Sequence, residues 1–133
     1  MEASGSTDTD ADAWVAKFDN SGSKIWLKHI GSRADDIAYD IAVDSFGHAY
    51  VGGYTRGRIS SNATDRGEKQ IWVMKLDEEG EQMWLREFGA GRKDDEVRAI
   101  ATDNQGNVFV TGMTYLEKPN DELLKRNIFI TKI

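Results

Sequence analysis

The chain has no cysteine, only two histidines and no long apolar run, and each lack removes a class of protein. Without cysteine there is neither a disulfide framework nor a thiolate metal site, although a cysteine-free chain fits an exported protein as well as a cytoplasmic one. His29 and His48 have no second histidine at ligand spacing and no cysteine partner, which argues against a zinc centre and leaves both as surface or turn residues. No apolar stretch approaches the roughly eighteen residues that cross a bilayer, and the opening "MEASGSTDTD" lacks the basic and apolar regions of a signal peptide. Basic residues are a minority, with 17 Lys and Arg against 23 Asp and Glu and a net charge of -6. The acidic groups are scattered, so they disfavour a nucleic-acid backbone or membrane surface as partner and serve solubility. There is no nucleophile elbow, phosphate loop or zinc motif, and "GAGRKDD" lacks the strand-to-helix context of a phosphate-binding loop.

What the sequence does have is repetition. "AWVAKFDNSGSKIWLKHIG" (13 to 31) matches "IWVMKLDEEGEQMWLREFG" (71 to 89) at a constant spacing of 58, pairing Trp14 with Trp72, Lys17 with Lys75, Asp19 with Asp77 and Trp26 with Trp84. After one inserted residue the register resumes at 59, so "AVDSFGHAYVGGYT" (42 to 55) matches "ATDNQGNVFVTGMT" (101 to 114) and Asp35 and Asp36 match Asp94 and Asp95. "IFITKI" (128 to 133) repeats "IWVMKL", and "ASGST" (3 to 7) aligns with "VGGYT", so the chain starts inside one repeat and stops inside another.

Each unit holds four short runs rich in Val, Ile, Trp, Tyr and Phe between turn residues, the pattern of successive antiparallel strands. The runs fall near 38 to 44, 48 to 55, 71 to 76 and 82 to 88, then 97 to 103, 107 to 114 and 128 to 133; "DELLKR" has room for one helical turn. "DNSG", "DSFG", "DEEG" and "DNQG" share Asp at the first place and Gly at the fourth. The carboxylate accepts from turn N–H groups, and glycine supplies the positive φ that closes the hairpin. The strands do not alternate between apolar and polar residues, so both faces of each sheet need cover. Four-stranded sheets at a period of fifty to sixty residues, stacked face to face, describe a β-propeller. The fold class expected is therefore all-β: propeller blades, each a four-stranded antiparallel sheet, about two repeats, an incomplete ring in one chain. Residues 1–133 form a single propeller segment, with a partial blade at 1–31, a blade at 32–89 and a partial blade at 90–133.

"DAWVAKFDNSGSKIW", "DDIAYDIAVDSFGHAYVGGYT" and "DNQGNVFVTGMT" resemble the bacterial seven-bladed β-propeller repeat family, the SBBP-type repeats, over nearly the whole chain. His48 stands where that pattern has Asn, and Glu96 and Arg98 make the second approach to "AIATD" more charged. The resemblance implies an extracellular or cell-surface setting and carries no common activity with it. By analogy with related propellers, "IAVD" and "AIATD" are the innermost strands.

Asp35, Asp36, Asp94 and Asp95, with Arg33 and Arg92 just upstream, recur in the loops entering those strands. One reading is a repeated polar-ligand or calcium site, since hard cations want several oxygens; the other is that the carboxylates cap loop N–H groups and pair with neighbouring basic residues. The spacing matches no calcium loop, so no catalytic residue and no cofactor are expected, with calcium the one candidate ion. Lys17, Lys75 and Lys132 recur as structural ion-pairing residues, and the four tryptophans as packing between blades. The expected function is a non-catalytic structural or protein-interaction scaffold, part of a larger propeller or completing a ring by oligomerisation, one copy's N-terminal strands finishing another's C-terminal blade. The alternative is a ligand-binding propeller for carbohydrate or calcium with sites on the loops, and behind it a lyase or hydrolase. Partners are further copies, remaining blades, or a protein or glycan ligand, without nucleic acid or membrane insertion. The unequal loops 56 to 70 and 115 to 127 are where function is expected to sit.

Overall fold

The computed structural model describes residues 10–60, 68–89, 93–116 and 125–133, with backbone alone for Lys93, Tyr115, Leu116 and residues 125–129. Its strands are β1 (Ala13–Phe18), β2 (Lys24–Ile30), β3 (Asp36–Val43), β4 (Ala49–Thr55), β5 (Gln70–Leu76), β6 (Gln82–Phe88), β7 (Lys93–Thr102), β8 (Val108–Leu116) and β9 (Lys125–Lys132). They form three antiparallel meanders: β1-β2, β3-β4-β5-β6 and β7-β8-β9. The chain is all-β, and among the described residues no helix is long and apolar enough to cross a membrane. Of "DELLKR", where one helical turn had room, Lys125 and Arg126 belong to β9, paired along β8. Residues 121–124 lie outside the described residues.

The four Asp-x-x-Gly turns share one geometry because they share one chemistry. In each, Oδ1 of the first Asp accepts the backbone N–H groups of the residues two and four further on, at 2.8 to 3.0 Å: Ser21 and Ser23, Phe46 and His48, Glu79 and Glu81, Gln105 and Asn107. The closing glycines all have φ between 80° and 85°, where a side chain would be strained. Bulges recur as well. The register slips at Tyr39 in β3 and at Arg98 in β7, and again after Lys17 and Lys75. Next to the first slip, a Cβ on Gly53 would lie 1.7 Å from the Ile37 carbonyl oxygen, so only glycine fits that place.

The complete second sheet is buried on both faces, as the absence of alternation required. One face sends Ala49, Val51, Trp72, Met74 and Leu76 against Ala13, Val15 and Ile30 of the first sheet. The other sends Tyr50, Ile71 and Val73 against Val97, Ile100, Val108 and Val110 of the third. Each fully buried Val, Ile or Leu contributes about 1.5–3 kcal/mol by leaving water, so the seams between sheets carry the stability. β7 packs most extensively along β3, less along β4 and least along β5. The sheets therefore converge at β3 and β7 and splay toward β6, the wedge shape of neighbouring blades with "IAVD" and "AIATD" innermost.

Candidate functional site

The paired aspartates lie at the mouths of β3 and β7, and each pair grips the lead-in to a strand of the sheet before it. Asp35 Oδ1 accepts the Ala11 N–H at 3.2 Å, while the Asp36 N–H donates to the Ala11 carbonyl at 2.6 Å. One repeat later Asp94 Oδ1 accepts the Lys69 N–H at 3.1 Å, and the Asp95 N–H donates to the Lys69 carbonyl at 2.9 Å. Asp36 and Asp95 are buried. Burial pushes the Asp36 carboxyl above the usual carboxylate range; hydrogen bonds from Thr55 and Ser32 offset part of this, and the nearby Asp12 charge adds to it. Asp36 Oδ1 is buried without a hydrogen-bond partner. Arg33 is exposed, and Arg92 lies outside the described residues. The two Asp pairs thus serve separate clasps on separate sheets. Among the described residues no group of three or more His, Cys, Asp or Glu side chains is placed to hold a metal ion.

Two of the three recurrent lysines meet backbone and ring partners where ion pairs were expected, while the charge of Lys132 acts on Asp103 and helps to lower its pKa. Lys17 Nζ and Trp26 Nε1 both donate to the Glu78 carbonyl, at 3.1 and 2.9 Å, and so fasten the first sheet to the β5–β6 turn of the second. Trp26 lies against Gly80 of that turn, where a Cβ would approach the indole to 2.6 Å. Lys75 Nζ sits 5.2 Å from the centre of the Tyr50 ring. Lys17 thus reaches the adjoining sheet, whereas Lys75 stays within its own, beside its cross-strand neighbour Tyr50. Glu96 and Arg98, which do not repeat, also bridge a seam: Glu96 pairs with Lys69 at 3.4 Å and with Arg98, and Arg98 lies over Tyr39 at 5.2 Å.

One constellation escaped the reading of repeats. Asp44 Oδ2 is 3.0 Å from His48 Nδ1 and accepts the Tyr50 hydroxyl at 2.9 Å, while Oδ1 takes the two turn N–H groups. Burial alone raises the Asp44 pKa, but the backbone and ring of His48, the Tyr50 hydroxyl and the Phe46 N–H together pull it down to about 2. An ionised Asp44 only accepts, so the imidazole keeps a proton on Nδ1. This looks like two thirds of a catalytic triad, yet the hydroxyl and the imidazole end on the same carboxylate oxygen, so neither activates the other. Burial first, and then the hydrogen bond to Asp44 and its charge, raise the Tyr50 pKa against the opposing effect of Lys75, so the phenol holds its proton. The signal that could have found this network was the pair of differences between matched hairpins, His48 for Asn107 and Tyr50 for Phe109.

Comparison with protein families matches the SBBP beta-propeller repeat at residues 25–59 and 84–115, half of the chain. The chain belongs to the SBBP β-propeller repeat family. No curated protein matches it. Each SBBP match runs from an outer strand through the paired-Asp mouth and the inner hairpin, and so takes in the aspartates of both clasps and both inner turns. Of the unequal loops between SBBP units, residues 61–67 and 117–124 lie outside the described residues. What is described at their edges is anchored: the Ser60 N–H donates to Glu87 at 2.7 Å, and the Arg56 N–H to the Asp35 carbonyl at 2.9 Å.

Proposed function

We propose that this SBBP segment is a non-catalytic scaffold that works through its surfaces, joining or presenting other protein, and transforms no substrate. The observation that carries the reading is that both Asp pairs, one recurrent Lys and one recurrent Trp tie one sheet to the next: Asp35 and Asp36 to Ala11, Asp94 and Asp95 to Lys69, Lys17 and Trp26 to Glu78. A group held this way has little freedom to reorganise around a substrate. The Asp44, His48 and Tyr50 network supplies an oriented imidazole but no activated nucleophile, which weighs against a lyase or hydrolase.

A ligand-binding reading rests on one feature, the unpartnered Asp36 Oδ1 next to the negative charge of Asp12. Calorimetric titration of the chain with calcium, and separately with a panel of glycans, tests the two. The scaffold reading expects no heat and no thermal shift. A saturable heat with calcium that Asp36→Asn abolishes would replace it with a cation-binding propeller.

A further inference from the structure

The second sheet has four strands, and among the described residues the sheets on either side of it show two and three, in complementary ways. β5 hydrogen-bonds to strands on both edges, whereas β1, its counterpart one repeat earlier, pairs only with β2 among the described strands. Beside the open edge of β1 is a cavity of about 300 Å³ lined by Trp14, Ala16, Ala38, Tyr39, Ile41 and Val51. This cavity occupies the place of a preceding blade's two inner strands. Ile100 of β7 is 8% exposed because Tyr50, Ile71 and Val73 cover it, whereas its counterpart in β3, Ile41, is 48% exposed. The chain holds a second copy of the missing surface at its other end. Phe109, the counterpart of Tyr50 on β8, faces away from the second sheet and is 39% exposed. The third sheet in turn has its two inner strands and β9, and among the described strands β9 pairs with β8.

Resting on the scaffold reading, we propose that a second copy of this chain is the partner: β7 and β8 of one copy fill the cavity beside β3 of the next, and β8 pairs with the next copy's β1 in place of its own β9. The register follows from the β4–β5 pairing inside the chain. Val51 faces Met74 and Gly53 faces Trp72 there, so Val110 faces Ala16 of the next copy and Gly112 faces Trp14. The exchange replaces one strand, β9, with a hairpin of two, β1-β2, and produces a four-stranded blade. It also supplies a turn to the second sheet. Lys17 and Trp26 donate to the Glu78 carbonyl, and the incoming Asp19–Gly22 turn offers the equivalent Asn20 carbonyl to Lys75 and Trp84. The contact is head to tail, so it propagates from copy to copy until a ring closes.

Light scattering on the purified chain over a wide concentration range is the first test, with a mass that is a multiple of the single chain expected. Ile41→Lys, at a position exposed in the single chain, is expected to return that mass to monomer with an unchanged circular dichroism spectrum. The chain has no cysteine, so mixing Ala16→Cys with Val110→Cys chains is expected to give a disulfide-linked heterodimer. Joining Val110→Cys to Thr131→Cys within one chain, which locks β9 onto β8, is expected to abolish the multimer. A folded monomer at all concentrations overturns the proposal, and so does a multimer that survives Ile41→Lys or the β9 lock. A monomer that binds neither calcium nor glycan sinks only this assembly, whereas saturable ligand heat removes the scaffold reading itself.

Discussion

The inner hairpins at 44–50 and 103–109 have the same turn, the same pair of N–H groups on an aspartate and nearly the same glycine φ, yet their aspartates live in different surroundings. The Asp44 side chain has no exposed surface, because the next sheet's turn lies over it: a Cβ on Gly106 would come within 4.0 Å of Asp44 Oδ2. Asp103 is partly exposed, and among the described residues its second oxygen takes the Asn107 amide, at 2.6 Å. A repeated turn is thus a local device, while the character of its carboxylate depends on whether another blade covers it. Tyr50 and Phe109 separate in the same way, the first 1% exposed in a seam and the second 39% exposed at an end.

The largest expected contrast is between truncating those two rings. Tyr50→Ala should cost about 3–5 kcal/mol, as for large aromatics cut from a packed core, and Phe109→Ala under about 1.5 kcal/mol in the single chain. Urea unfolding of dilute protein measures both, and equal costs would mean that the far face of β8 is already covered. Next, Asp44→Ala should lose about 2–3 kcal/mol, since it strands the Tyr50 hydroxyl as well as the turn N–H groups, against about 1 kcal/mol for Asp103→Ala, which loses a turn cap.

The pH dependence sharpens the same contrast. Asp44 is held below its ordinary value of 3.8, down to about 2, so the folded state binds its proton less tightly than the unfolded chain. Its stabilising contribution is full above about pH 4 and disappears as pH falls toward 2. Asp103 is lowered too, chiefly by the Asn107 side chain and backbone. Denaturant unfolding at a series of pH values should show a steeper loss between pH 4 and 2 in the parent chain than in Asp44→Asn. The smallest effects are those of the substitutions that distinguish the hairpins: Tyr50→Phe should cost about 1 kcal/mol for its hydrogen bond, and Asn107→His should change stability by less than about 0.5 kcal/mol.

Much of the architecture was legible without coordinates because its signals are local. The spacing of 58 and 59 set the repeat, and Asp-x-x-Gly located each turn. The lack of alternation in "IWVMKL" required cover on both faces, which Trp72 and Val73 now have on opposite sides. The strand limits were less legible: β3 begins at Asp36 and β7 at Lys93, earlier than their apolar runs, because the polar mouths pair through backbone groups that carry no hydrophobic signal. The candidate site was legible only as a choice between ligand and cap. Nothing in "ADD" or "KDD" reveals that the partner is Ala11 or Lys69, since those residues meet the aspartates through main-chain atoms.

By itself, then, the sequence determined the blades, their turns and the SBBP pattern, because φ preferences and side-chain-to-backbone hydrogen bonds act over four or five residues and repeat wherever the residues do. Tertiary structure alone decided which copies of a residue are alike in effect. Trp72 is sealed in a seam and Trp14 stands 61% exposed; Asp44 is an ionised hub and Asp103 a partly exposed cap. The reason is physical: burial and partner choice belong to the surface lying opposite, and in a stack of repeats that surface comes from the neighbouring blade.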